Sequence, residues 1–210
     1  MILTVDAIDE LKARAPTTAS RITIEWMSAS SHEEKFKLLR TALDHCYGEL
    51  VNNKHLNREG KVSEDQLSVQ ICQMLGCMGI VASHDTQVGG HVDILVRDRD
   101  GFLWIGEAKI DHGPSYVAGG FDQLSTRYGT SGEGRNQGEM IVYSWKRNIA
   151  KRLKDWLEHL EGLEGVQGLE VEVAIEDPKW HFTTKHTCPA SGHLFHVRHV
   201  FVPLYFAPKK

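Results

Sequence analysis

Three side chains near the middle of the chain carry the most chemical information. Asp93 lies inside the apolar run His91 to Val96, and Glu107 and Lys109 follow in Trp104-Ile105-Gly106-Glu107-Ala108-Lys109. Two carboxylates and an ammonium brought together would hold a hard divalent cation beside a group that handles protons, which is the apparatus for hydrolysing phosphodiesters. Oxygen donors suit Mg²⁺ or Mn²⁺, which keep several waters and need only a few carboxylates plus a substrate phosphate. A lysine beside such an ion can orient or deprotonate the attacking water, since it loses its proton more readily when desolvated near positive charge. Glu-Ala-Lys alone is also a common surface tripeptide, so the surrounding elements must decide its meaning.

Thirteen residues separate the two acids, and the polar run Arg97-Asp98-Arg99-Asp100-Gly101 between them ends in an Asp-Gly turn signal. That pattern predicts an antiparallel hairpin. Alternation along the second strand puts Glu107 and Lys109 on one face and Ala108 on the other. Upstream, Ser63-Glu64-Asp65-Gln66 reads as a capping box opening a helix whose stripe is Leu67, Ile71, Leu75 and Met78. Glu64, three residues before Leu67, continues that stripe instead of the solvent face. Asp65 is the better candidate for an ordinary first-turn carboxylate favoured by the helix dipole. Downstream, Asp111-His112-Gly113-Pro114 starts a helix with Val117, Phe121, Leu124 and Tyr128 buried. Gln123 and Arg127 sit on its flank, within reach of the sheet edge. Met140 to Tyr143 then reads as a strand.

With Glu64, Asp93, Glu107-Ala108-Lys109 and Gln123 in this order, the chain resembles the PD-(D/E)XK nuclease superfamily. The resemblance implies an α/β, restriction-endonuclease-like α/β/α sandwich with a central mixed sheet, whose αβββαβ core is here extended by C-terminal strands. The matching elements are a helix over 63–78, strands near 80–88, 91–97 and 102–110, a helix over 115–128 and a strand over 139–144. It further implies that Asp93 and Glu107 bind Mg²⁺ or Mn²⁺, that Glu64 completes the metal set, that Lys109 acts on the nucleophilic water, and that Gln123 tunes the arrangement. DNA is the implied substrate, in defence, restriction or repair. Two departures stand out: Val92 occupies the place where relatives often have proline, and Arg127 falls where many carry tyrosine, with Tyr128 one residue later.

At 210 residues and 41% hydrophobic content the chain is long enough for one substantial core. The expected organisation is an N-terminal accessory strand and helix layer over 1–60, the nuclease core over 61–145, and a helix and strands over 146–210 extending the same domain. In the first part Ile22, Ile24 and Trp26 alternate as in a strand, and Ser31 caps a helix carrying Phe36, Leu39, Leu43 and Tyr47. The polar stretch 51–60 reads as a linker or substrate-contacting loop, and Gly129 to Asn136 as a mobile lid. Leu169 to Ile175 alternates as a half-buried strand, and Leu194 to Phe206 as a long final one.

A net charge of −4 argues against indiscriminate coating of nucleic acid. It suits a nuclease that holds DNA with the help of a partner, a homo-oligomer or an activating signal, and one site per chain calls for at least a dimer to cut both strands. A local basic surface is offered by Lys146, Arg147, Lys151, Arg152 and Lys154, joined by Arg127 and Arg135; the plainer reading is a solvated helix face. The absence of a long apolar run or a signal-like start points to a soluble cytoplasmic protein, with no membrane partner. Cys46, Cys72, Cys77 and Cys188 form no paired framework, which fits free thiols in a reducing compartment. Five histidines from His181 to His199, with Cys188 among them, invite zinc, but His196 and His199 point to opposite faces of a strand and no ligand pair is recognisable. Two alternatives therefore stand beside the nuclease: a non-catalytic nucleic-acid-binding or assembly subunit on the same fold, and a zinc-centred interaction module.

Overall fold

The computed structural model describes residues 5–87, 90–128, 131–173 and 180–208. Helices α1 (Val5–Arg14), α2 (Thr18–Ser28) and α3 (His32–Asn52) come first. The alternation of Ile22, Ile24 and Trp26 predicts a strand, yet these residues lie in α2. The Thr17 hydroxyl accepts from Ser20 N, and the Ser20 side chain accepts from Thr17 N, which closes a capping box. Ile22 and Trp26, four apart, are buried while Ile24 between them is only half-buried, so the governing period is helical. In α3, Phe36, Leu39, Leu43 and Tyr47 are buried as expected. The stretch after it is mostly exposed, anchored at Asn57, which is buried and whose carbonyl accepts from Trp145 Nε1 at 2.6 Å.

Helix α4 (Glu64–Cys77) opens with the capping box of Ser63 and Gln66 and buries Leu67, Ile71 and Leu75. Cys77 at its end is exposed and not a packing thiol. A mixed seven-stranded sheet follows, in the order β1 (Ala82–Ser83), β4 (Ile94–Arg97), β5 (Leu103–Ile110), β6 (Gln137–Ser144), β9 (Leu194–Pro203), β8 (His181–Thr187) and β7 (Glu170–Val173). β5, β6 and β9 run parallel, and the outer pairings are antiparallel. β2 (Thr86–Gln87) and β3 (His91–Val92) form a separate small hairpin.

The β4–β5 turn agrees with its sequence signal. Asp100 and Gly101 have φ of 61° and 76°, the paired positive values that a type I′ turn needs. The strands expected near 80–88 and over 91–97 are each split in two. Asp85 adopts a left-handed φ of 49° between β1 and β2, and the chain leaves the sheet at Asp93 between β3 and β4. The helix expected over 115–128 is α5 (Pro114–Gln123) followed by a π-helical turn, Leu124–Tyr128. β8 has no counterpart in the sequence reading, because its Thr- and His-rich stretch shows no clear apolar alternation. The final strand ends at Pro203, short of Phe206.

Helices cover both faces of the sheet. Trp104, Ala108, Ile141, Tyr143 and Val200 pack with residues of α2, α3 and α4, whereas Ile105, Met140, Val142, Val197 and Phe201 pack with α5 and with α6 (Ile149–Glu161). The α6 stripe of Ile149, Leu153, Trp156 and Leu160 is buried. Among the described residues no helix is long and apolar enough to cross a membrane.

Candidate active site

The sheet is split beside β5. β4 pairs with β5 only as far as Ile94 opposite Gly106, and beyond that point β3 has turned away to pair with β2. Buried backbone amides must find acceptors, and here side chains replace the lost strand. Ala108 N donates to Asp93 Oδ2 at 2.7 Å, and Ile110 N donates to Glu64 Oε2 at 2.8 Å. One backbone requirement thus draws in Asp93 from the strand break and Glu64 from the first turn of α4. Each keeps a second oxygen not spent on these amides.

Glu107 and Lys109 share the opposite side of the strand from Ala108, as alternation requires. Lys109 Nζ donates to Glu107 Oε1 at 2.6 Å and to the Ala108 carbonyl at 2.9 Å, and lies 3.8 Å from both Glu64 Oε1 and Asp93 Oδ2. Three acids from three elements therefore converge on one ammonium. Helix α5 comes close against it: a Cβ on Gly120 would stand 2.9 Å from Lys109 Cγ and 2.9 Å from Met140 Cε. The absent side chain at Gly120 lets the helix press on the lysine stem.

Three carboxylates against one ammonium leave two negative charges in excess when all are ionised. Glu107 is only 2% exposed, and its Oε2 has no hydrogen-bond partner. Burial, with the neighbouring charge of Asp93, pushes its carboxyl up to about 7, against the pull of Lys109. Burial raises Asp93 as well, opposed by the Ala108 amide and Lys109, and it raises Glu64, opposed by Lys109 and the Ile110 amide. For Lys109 burial works against the charge, but the bond to Glu107 and the charges of Glu107, Asp93 and Glu64 outweigh it and hold the ammonium above its usual value. The lysine is thus a persistent cation, better suited to orienting a water or a phosphate oxygen than to abstracting a proton.

Among the described residues no three His, Cys, Asp or Glu side chains stand in a ready metal-binding group, because the acids are drawn in around Lys109 Nζ. The donor set itself fits a hard cation: carboxylate oxygens only, an excess of negative charge, and a buried Glu107 oxygen without a partner. Asp93 and Glu107 would hold such an ion, with Glu64 beside them.

No protein-family model matches the chain, and neither curated proteins nor solved structures give a significant match.

Gln123 closes α5, half-buried, one helical turn beyond Gly120; among the described residues it makes no hydrogen bond to the acids or to Lys109. The side chains of Arg127 and Tyr128, and residues Gly129 and Thr130 of the expected lid, lie outside the described residues. The anticipated basic surface is largely neutralised. Lys146 pairs with Glu59, Lys151 with Asp155 and Lys154 with Glu158, Arg147 donates to Tyr205, and Arg152 binds Asp111. Arg135 donates to the Gly101 carbonyl. The solvated-face reading therefore describes this helix better. The histidines scatter: His199 is buried, accepting from Trp156 Nε1 and 2.9 Å from the Thr184 hydroxyl, while His196 pairs with Glu172.

Two residues beside the site escaped the sequence reading. His84 Nδ1 donates to the Asp93 carbonyl at 2.7 Å, and its Nε2 lies 3.7 Å from Asp65, so it braces the strand break against α4. Nothing in the local pattern marks it. Gly120 did leave a signal, since two consecutive glycines inside a helix cost stability unless close packing requires them.

Proposed function

We propose that the protein is a divalent-metal-dependent nuclease of the restriction-endonuclease-like, PD-(D/E)XK class, with DNA as its substrate. The observation that carries this reading is the convergence of Glu64, Asp93 and Glu107 on Lys109 at the split edge of β5, with a buried Glu107 oxygen left unpaired. An overloaded acidic pocket of this kind is costly unless something positive enters it.

Bound Mg²⁺ or Mn²⁺ would act as a Lewis acid on the scissile phosphate and lower the pKa of a coordinated water. The chain's own part is to supply Asp93 and Glu107 as ligands, Glu64 as an adjacent acceptor, and Lys109 as a fixed cation. Lys109, held in place by Gly120, orients the attacking water and stabilises charge that develops on the phosphate. Glu107, its carboxyl raised to about 7, would release its proton to solvent when a cation binds. Gln123, three residues on from Gly120 in α5, would contact the phosphate or the lysine once substrate is bound. With few unpaired cations on α6, productive binding depends on a partner, a homo-oligomer or an activating signal. Defence, restriction or repair is the setting that the family likeness suggests.

The test is cleavage of supercoiled plasmid, linear duplex, single-stranded DNA and RNA by wild type and Lys109→Ala, with Mg²⁺, Mn²⁺ or EDTA. The expected result is metal-dependent cutting of DNA that falls by about 10²–10⁴-fold in the variant, with circular dichroism showing both proteins folded. Cutting that survives either EDTA or the loss of Lys109 would overturn the assignment.

A further inference from the structure

A second concave site lies away from the acids, between α5 with its π-helical turn, the loop that follows α6, and the end of β8. It encloses about 280 Å³ and is lined by Phe121, Asp122, Ser125, Glu164, Gln167 and His186 among others. That volume is at the small end of the range for ligand pockets, room for a molecule of one ring and a few substituents.

Two polar side chains in its wall are unsatisfied. The Ser125 hydroxyl and both ring nitrogens of His186 are buried without hydrogen-bond partners, although His186 is only 1% exposed. Buried polar groups rarely go unpaired, and each such group needs an explanation. His186 packs edge-on against Phe121, at 5.5 Å between ring centroids, so the ring is fixed in the wall with its hydrogen-bonding capacity unspent. Burial, and then the charge of His196, brings the imidazole down to about 4, so it stays neutral in the physiological range and keeps one acceptor nitrogen.

The charge of the lining selects the ligand. Asp122 and Glu164 are both carboxylates, and among the described lining residues there is no lysine or arginine. With two carboxylates, a neutral imidazole, one serine and two threonine hydroxyls and the Gln167 amide, the site is rich in acceptors and repels anions. We propose that this cavity binds a small, flat organic cation of the amidinium or guanidinium type, whose fan of N–H donors meets Asp122, Glu164, Ser125 and His186. The inference stands independently of the nuclease reading.

The probes are three molecules of nearly one shape: benzamidine, benzamide and benzoate, titrated into the full chain and followed by amide chemical shifts and calorimetry. Benzamidine is expected to bind at least tenfold more tightly than benzamide, with benzoate showing no binding and the shifts centred on Ser125, Gln167 and Thr187. Asp122→Asn and Glu164→Gln, both at exposed positions, are each expected to weaken benzamidine about three- to tenfold. Equal binding of all three molecules, tighter binding of benzoate, no binding of benzamidine, or shifts elsewhere on the protein would each overturn the proposal.

Discussion

Glu107 and Asp111 are both 2% exposed carboxylates, four residues apart along the same stretch of chain, and each lies against a cation. Around Asp111 the account closes. Arg152 donates to it through both Nη2 and Nε, at 2.5 and 3.0 Å, and Ser144 Oγ donates at 2.6 Å. Burial works against its charge, yet these bonds prevail and hold it below the usual carboxylate value. Around Glu107 one lysine answers three acids, one oxygen is unpaired, and the carboxyl is pushed up to about 7. Fixed forks and matched charge are what a structural ion pair looks like. Surplus charge held at a broken strand is what a site that must accept something looks like.

The widest gap between the two clusters should appear in metal binding. Glu107 is protonated below about pH 7 and must lose that proton to hold an ion. Mn²⁺ affinity, measured by calorimetry, should therefore rise about 50-fold between pH 5 and pH 7, and only about twofold more above that. Glu107→Gln should flatten the profile, and a flat profile in wild type would erase the distinction drawn here. The metal-free protein should show the reverse trend. A carboxyl whose folded value lies above its unfolded 4.5 favours the fold in its protonated form, so that stability is present below about pH 4.5 and is lost as pH rises through about 7.

A smaller effect tests the matched pair. Asp111→Ala removes the acceptor for Arg152, which is a quarter exposed and can rehydrate, so a loss of about 2 kcal/mol is expected. Urea denaturation would read this, and cutting per folded molecule should remain within about threefold of wild type. If Asp111→Ala abolished cutting by a protein that still folds, the two clusters would be one site. Gentler still is Gly120→Ala, whose new methyl must displace Lys109 or Met140. Cutting should fall about tenfold from misplacement of the lysine, while thermal stability stays near wild type, since the alanine's helix preference offsets part of the strain.

The local grammar of this chain was legible: the Asp100-Gly101 turn, the capping box at Ser63, the shared face of Glu107 and Lys109, and the α6 stripe all follow from short-range rules. What was not legible depends on partners distant in sequence. Ile22 and Trp26 fit either period, and only packing against α3 and the sheet selects the helix. The break at Asp93 cannot be read from His91 to Val96, because it exists to let one carboxylate serve the Ala108 amide on another strand. β8 was hidden by its buried threonines and histidine: Thr184 meets His199 of β9 and His186 packs on Phe121 of α5, contacts that no neighbour in sequence announces. The charge balance of α6 was legible where it is local, since Lys151 and Lys154 pair with Asp155 and Glu158 one turn on, and hidden where residues 59, 205 and 111 answer Lys146, Arg147 and Arg152.

The carboxylates at the split of β5 also have a defensive consequence. Ala108 and Ile110 present amides where the neighbouring strand has departed, and unpaired amides in a row are a template for a foreign strand. Asp93 and Glu64 occupy those amides and surround them with negative charge. A chain that trades both acids for alanine bares a short sticky edge in the middle of its own sheet, and its failure would be read in light scattering as self-association.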